Sequence, residues 1–198
     1  MDKIRIKYEN EKSQKSDINE HLETIYRYSK ECSHITEFGV RWVSSTWAMI
    51  LSEPKKMYSY DILYNPKIEE VISLSKEYGI NFTFEEADVL NIKIEPTELL
   101  FIDTLHTYNQ LITELSLHSD KVSKYIIFHD TSTYGLVDEK VYNHASDTIK
   151  NMNDTKRGLV TAINDFLTTE SGQFWKIHEV FQNNNGLTIL KNINYENW

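Results

Sequence analysis

Two short stretches, LLFIDTLHTY over 99–108 and KYIIFHDT over 124–131, share one design. In each, an apolar run stops at an acidic residue with a histidine close by: Asp103 with His106, and His129 with Asp130. A carboxylate accepts hydrogen bonds and imidazole titrates near neutral pH, so such pairs suit proton handling and polar ligands. A second series lies upstream. Gly39 ends one apolar run, Asp61 ends the next one 22 positions later, and Asp88 closes the one after that. A glycine at the first position lets backbone turn tightly and approach a ligand, and the hydroxyls of Ser45 and Thr46 behind it can bond to one. An acid at the second position can accept both hydroxyls of a ribose. One at the third is placed to meet an adenine amino group. On spacing alone the series suggests a nucleoside ligand. The dinucleotide fingerprint G-x-G-x-x-G and the phosphate loop G-x-x-x-x-G-K-[ST] are both absent, so no strongly recognised pyrophosphate is expected.

The elements that must position these residues alternate. HITEFGV, KKMYSYDI, INFTFEEAD, ELLFID and KYIIFHD have the length and apolar content of buried strands. Between them lie helical patterns: SSTWAMILSE with Pro54 just past its end, Pro66 to Tyr78 stopped by Gly79, and TYNQLITELSLHSDKV. After a long polar stretch from Thr131 to Arg157, predicted as a loop with one helical piece, RGLVTAINDFLTTE is an amphipathic helix. WKIHEVFQ and LTILKNI, joined by NNNG, form a closing antiparallel hairpin, because Asn and Gly tolerate the positive φ of such turns. Upstream, residues 1–15 are expected to be a polar, partly ordered lead-in. Asp17 and Glu20 have the spacing of a capping box for a helix running to about Lys30. Strands alternating with helices imply βαβ units and a mostly parallel sheet with right-handed crossovers. Ligands of such sheets bind beyond the strands' carboxyl ends, so Asp103, His129 and Asp130 should face one crevice.

Totals narrow the class. The 198 residues are 40% hydrophobic and 26% charged, with no repeat or linker, so one domain is expected, with 1–33 as lead-in and helix and 34–193 as core. No apolar run is long enough for a membrane span, and MDKIRIKYENEKSQK lacks a signal-peptide core. The single Cys32 excludes an internal disulfide and fits a reducing, cytoplasmic setting. A net charge of −9 without a basic stripe argues against a nucleic-acid partner.

At these residues a family resemblance becomes specific. EFGVRWVSSTWAMI followed by SYDI resembles the first motif and second-strand acid of class I S-adenosylmethionine-dependent methyltransferases. FIDTLHTYNQLITEL with YIIFHDT is similar to the branch containing cephalosporin-hydroxylase-like and macrocin-type sugar O-methyltransferases, as is the closing hairpin. The likeness spans roughly Ile35 to Lys191. It implies an α/β, Rossmann-like doubly wound fold with a mostly parallel seven-stranded sheet and an antiparallel C-terminal hairpin. It implies S-adenosylmethionine as cofactor, with Glu37 and Gly39 shaping the methionine pocket, Ser45 or Thr46 near its methionine end, Asp61 on the ribose and Asp88 by the adenine. It also implies a divalent ion at Asp103, His129 and Asp130, with Asp103 beside the reacting hydroxyl and His106 or His129 as base. Mg²⁺ binds hard oxygens and keeps water sites open for a diol. A histidine at 129, where some relatives have a carboxylate, makes Mn²⁺ more competitive. The acceptor would be a small molecule, a sugar or polyol, and a homo-oligomer is a compatible assembly.

The chain departs from the family at Val43, where relatives usually have glycine. A β-branched residue avoids positive φ, so the loop is expected to follow a different path. Two other readings stay open: a non-catalytic Rossmann-like binding or assembly domain, and another enzyme using a nucleoside or nucleotide sugar. Each residue also has a structural reading, with Asp103 and Asp130 as caps and His106 and His129 as bonded packing. His21, His34, His118, His144 and His178 lack acidic or nucleophilic company and are taken as structural. Trp42, Trp47, Tyr58 and Tyr60 read as core and pocket wall, and Tyr134 as a loop residue within reach of substrate.

Overall fold

The chain builds its sheet outward from a central pair of strands. In the computed structural model, which describes residues 1–152 and 154–195, β1 (His34–Phe38) pairs in parallel with both β2 (Lys56–Asp61) and β4 (Thr97–Ile102). β3 (Asn81–Glu86) adds beyond β2, and β5 (Val122–His129) beyond β4, again in parallel. β7 (Leu187–Asn192) then runs antiparallel to β5, and β6 (Trp175–Phe181) antiparallel to β7. The order is β3-β2-β1-β4-β5-β7-β6, so the direction of winding reverses between β1 and β4. Ligand crevices of doubly wound sheets open at that reversal.

Continuous apolar runs suit strands covered on both faces. Along β4, Leu99 and Phe101 join Ile35 and Ile127 on one face, while Leu100 and Ile102 join Phe38 and Phe128 on the other. The first face is covered by α2 (Leu22–Ser29) and α3 (Ser44–Leu51), through Leu22, Ile25 and Trp47. α4 (Ile68–Glu77) adds Ile68 and Val71. α5 (Tyr108–His118) and α7 (Leu159–Leu167) cover the second through Leu111, Leu115, Ile163 and Phe166. Each such side chain contributes about 1.5–3 kcal/mol on leaving water. Among the described residues no helix is long and apolar enough to cross a membrane.

Two expectations change at the edges. Residues 1–15 are no loose lead-in: Asp2–Ser13 is a helix, α1, which buries Ile4 and Tyr8. Its apolar residues alternate at 4, 6 and 8, which hides the single i, i+4 pair that faces inward. Ion pairs Lys3–Glu77 and Lys7–Glu70 fasten it to α4. The capping box at 17–20 does not form either. Asp17 pairs with Arg41 at 3.0 Å, Glu20 takes the Asn183 amide at 2.6 Å, and the Ser16 hydroxyl meets the free N–H groups of Ile18 and Asn19. The long connection after β5 agrees with the sequence reading, holding among its described residues one short helical piece, α6 (Asp147–Lys150); position 153 lies outside them. At the hairpin turn the NNNG reading holds, with φ of 46° at Asn184, 68° at Asn185 and 95° at Gly186.

Candidate active site

The loop after β1 shapes the entrance. Gly39 has φ 84°, and a Cβ there would lie 2.0 Å from the Asp103 carbonyl oxygen, so the ends of β1 and β4 approach as only glycine allows. Val43 is buried and takes φ 65°. The loop therefore keeps a left-handed turn despite a β-branched residue, contrary to the different path expected from sequence. The Val43 N–H donates to the Val40 carbonyl at 2.8 Å and closes the turn. Such a conformation costs on the order of 1–3 kcal/mol and persists only when its surroundings enforce it. Part of that enforcement is Asp61 at the end of β2, whose Oδ2 accepts N–H groups from this loop and whose Oδ1 accepts the Leu63 N–H at 2.9 Å.

Beyond the sheet reversal lies a cavity of about 550 Å³, within the usual size of a small-ligand site. Gly39, Asp61, Asp88 and Asp103 line it together, as do Asp130 and His106. Trp42, Tyr64, Tyr134 and Tyr142 give it an aromatic wall. Asp88 lies two residues past β3 and caps a short turn, its oxygens accepting the Leu90 N–H at 3.0 Å and the Asn91 amide at 2.8 Å.

Glu37, Ser45 and Thr46 stand apart from this wall. Their side chains form a buried knot beneath the loop, where Glu37 accepts hydroxyl protons from Ser45 (2.7 Å), Thr46 (2.9 Å) and Ser59 (2.6 Å). Burial pushes the Glu37 carboxyl up to about 7, against the lowering effect of those hydroxyls. The expected contact of Ser45 or Thr46 with a cofactor is thus corrected: both hydroxyls are spent on Glu37, which supports the loop from below. Among the other aromatic residues, Tyr60 reaches the wall, whereas Trp47 is core.

Asp103, His106, His129 and Asp130 do meet. His106 Nε2 lies 3.1 Å from Asp103 Oδ1 and 3.1 Å from Asp130 Oδ2. His129 Nδ1 lies 3.4 Å and 3.3 Å from the same two oxygens. The far nitrogen of each ring is also occupied, with His106 Nδ1 2.9 Å from Glu139 Oε2 and His129 Nε2 3.1 Å from the Asp17 carbonyl oxygen. Asp130 itself is held at φ 61°, and its other oxygen, Oδ1, is buried without a hydrogen-bond partner. Burial works against charge on both rings, but the facing carboxylates win, raising His106 to about 10 and His129 to about 11. Burial likewise opposes the Asp103 charge, yet His129 and His106 hold that carboxyl far below its usual range.

The same geometry corrects the expectation of a histidine base. Neither ring has a nitrogen without a partner, and with the cluster bare both hold their protons at neutral pH. His129 in addition lies behind the cavity wall, its side chain only 1% exposed. Two members escaped the sequence reading. Glu139 sits in the long loop, where no periodicity marks an acid. Asp17 takes part through its main chain, which no side-chain motif can reveal. The segment holding Asp17 is pinned by the β6–β7 turn: Asn184 donates to the Ser16 carbonyl at 2.7 Å and accepts the Glu20 N–H at 2.9 Å, and His21 bonds to the Asn183 carbonyl at 2.9 Å. Tyr134 stacks on His106 with centroids 5.0 Å apart and rings 3° from parallel.

No family model and no curated protein matches this sequence. Solved structures do match its shape. The N-methyltransferase NodS of Bradyrhizobium japonicum WM9, in complex with S-adenosyl-L-homocysteine, is 13% identical with a TM-score of 0.59, covering 91% of this chain and 89% of its own. The S-adenosylhomocysteine-bound methyltransferase PaMTH1 of Podospora anserina is 12% identical with a TM-score of 0.57, covering 97% and 88%. The magnesium protoporphyrin IX methyltransferase ChlM of Synechocystis PCC 6803, with bound S-adenosylmethionine, is 10% identical with a TM-score of 0.53, covering 87% and 77%. Identities this low speak to architecture and leave the acceptor open. With its seven strands in this order and its last two antiparallel, the chain has the Rossmann-like fold of S-adenosylmethionine-dependent methyltransferases.

Proposed function

We propose that this chain binds S-adenosylmethionine and transfers its methyl group to a hydroxyl oxygen of a small acceptor, a sugar or similar polyol. The S–CH₃ bond breaks, an O–CH₃ bond forms, and S-adenosylhomocysteine and a proton are the other products. One observation carries the reading: a single cavity at the sheet reversal brings Gly39, Asp61 and Asp88 together with the Asp103–Asp130 cluster. In this reading Asp61 receives the ribose hydroxyls with the acceptor capacity its loop bonds leave free, and Asp88 lies by the adenine. The aromatic wall shields the site from water and offers faces on which a sugar ring can stack.

A divalent ion suits the other end of the cavity. The donors Asp103, His129 and Asp130 converge within 4.8 Å, and the partnerless Asp130 Oδ1 is the kind of buried atom an ion or its water would satisfy. An ion there, Mg²⁺ or Mn²⁺, would lower the pKa of an acceptor hydroxyl and fix its orientation. Asp103, which belongs to both cluster and cavity, orients that hydroxyl toward the methyl donor. The rival reading of a degenerate binding domain drew on Val43 and on the scarcity of glycine; the left-handed turn kept at Val43 supports the enzyme reading over it.

Calorimetric titration of S-adenosylmethionine and S-adenosylhomocysteine into the purified protein tests the proposal. Micromolar binding of either ligand, weakened in Asp61→Ala, is the expected result. No heat and no thermal shift at millimolar ligand would overturn it.

A further inference from the structure

The three-residue donor set leaves out the ring nearest to it. His106 Nε2 is closer to Asp103 Oδ1 and Asp130 Oδ2 than His129 Nδ1 is, at 3.1 Å from each against 3.4 and 3.3 Å. We propose that His106 is a fourth metal ligand, and that the site is a two-histidine, two-aspartate centre for a transition-metal ion rather than an oxygen-rich site for Mg²⁺.

Three observations carry this. The first is spacing. A four-coordinate ion about 2.0–2.1 Å from each donor sets neighbouring donors roughly 3.3 Å apart. The four nitrogen–oxygen separations of 3.1, 3.1, 3.4 and 3.3 Å lie around that value; the donors that all converge within 4.8 Å are Asp103, His129 and Asp130, so the His106 ring must move inward to join them on one ion.

The second is tautomer control. A carbonyl oxygen can only accept, so the Asp17 carbonyl requires a proton on His129 Nε2, and an ion that displaces the Nδ1 proton would meet the Nδ1 lone pair on the carboxylate side. The Glu139 carboxylate likewise fixes a proton on His106 Nδ1, which leaves Nε2 as the nitrogen an ion would take on displacing its proton. Metal-bound histidines almost always donate their other N–H to a carboxylate or main-chain oxygen, and here both rings do so, from elements far apart in sequence.

The third is Asp130. It holds a left-handed φ of 61° that a non-glycine residue seldom adopts, and its Oδ1 has no partner although buried. A purely internal ion cluster would leave that atom orphaned, whereas an ion or its bound water gives it one. Two imidazoles beside two carboxylates favour Zn²⁺, Co²⁺, Fe²⁺ or Mn²⁺ over Mg²⁺, which prefers an all-oxygen shell. The inference rests on the functional reading above for what the ion does, not for whether it binds.

The test uses the full chain, stripped with a chelator and titrated separately with Zn²⁺, Co²⁺ and Mg²⁺. One Zn²⁺ or Co²⁺ per chain is expected, bound at least about 100-fold more tightly than Mg²⁺. X-ray absorption of the Zn²⁺-loaded unmodified protein should show two imidazoles in the first shell, a readout that needs no variant to fold. His106→Ala should weaken Zn²⁺ at least about tenfold, and Glu139→Gln should do so by a smaller factor. Equal affinity for Mg²⁺ and Zn²⁺, a single imidazole in the absorption spectrum, or no bound ion would overturn the proposal. S-adenosylhomocysteine is titrated in parallel. Its binding to a chain that takes no ion refutes the metal centre alone, while ion binding with no affinity for S-adenosylhomocysteine supports the centre and refutes the methyltransferase reading.

Discussion

Asp61 Oδ2 accepts the main-chain N–H of Val40 at 2.8 Å and of Arg41 at 2.9 Å, tying the end of β2 to the loop that follows β1. One carboxylate thus holds the loop in shape and faces the cavity. Asp61→Ala should therefore cost both ligand affinity and about 1–3 kcal/mol of stability, because three N–H groups lose their acceptor. Asp61→Asn keeps an acceptor oxygen for the loop while losing the charge, and should recover most of the melting temperature. S-adenosylhomocysteine titration beside thermal melts of both variants checks this. An unchanged melting temperature in Asp61→Ala would mean the loop holds itself.

Gly39→Ala should be worse than its size suggests. The added Cβ would lie 2.0 Å from the Asp103 carbonyl oxygen at a φ of 84°, so β1 and β4 must part at the site. A loss of at least about 2 kcal/mol is expected, read as a fall in the denaturation midpoint. Wild-type stability in this variant would show that the strand ends are free to separate.

Stability should fall as pH rises from about 4.5 to 7. The Glu37 carboxyl, raised to about 7 from an ordinary 4.5, holds its proton in the folded chain after the unfolded chain has released it. Its contribution is complete below 4.5 and gone above 7. Glu37→Gln should remove roughly 3 kcal/mol of that slope. Glu114, raised to about 7 by burial against the bonds from Gln110 and Thr104, keeps its own share in that variant. Urea unfolding at pH 5 and pH 8 measures both chains, and parallel pH profiles would contradict the assignment.

Asp130→Asn should abolish any ion-dependent turnover while leaving S-adenosylhomocysteine affinity within about threefold, since the two ends of the cavity use different residues. Turnover with and without added Zn²⁺ or Mn²⁺, beside a ligand titration, separates the effects. Undiminished turnover would remove Asp130 from the reaction.

Strand ends were the legible part of this site. Asp61, Asp103 and Asp130 each follow a buried apolar run, and in a parallel sheet such residues emerge on one side, so their gathering followed from period and order alone. Asp88 was readable to within two residues. What escaped reading depends on partners distant in sequence. Ser45 and Thr46 carry hydroxyls suited to a ligand, but Glu37 on β1 claims them. Glu139 reaches His106 from a loop without periodicity. Helix α1 stayed hidden because an outward Ile6 between Ile4 and Tyr8 mimics alternation. Val43 was judged by the cost of its backbone, which the surrounding bonds and its buried side chain offset.

The staple between the Asn183–Asn184 turn and the 16–21 segment joins early and late parts of the sequence. Glu20 and Asn184, 164 positions apart, bond to each other in the same segment from which the Asp17 carbonyl meets His129. Contacts of such separation form late, because the intervening chain must first be closed into a loop. Asp103, His106, His129 and Asp130 all come from β4, β5 and the residues that follow them, whereas the Asn183–Asn184 staple that holds the 16–21 segment comes from the β6–β7 turn. The cluster is therefore braced from outside by the β6–β7 hairpin, through the 16–21 segment that carries the Asp17 carbonyl.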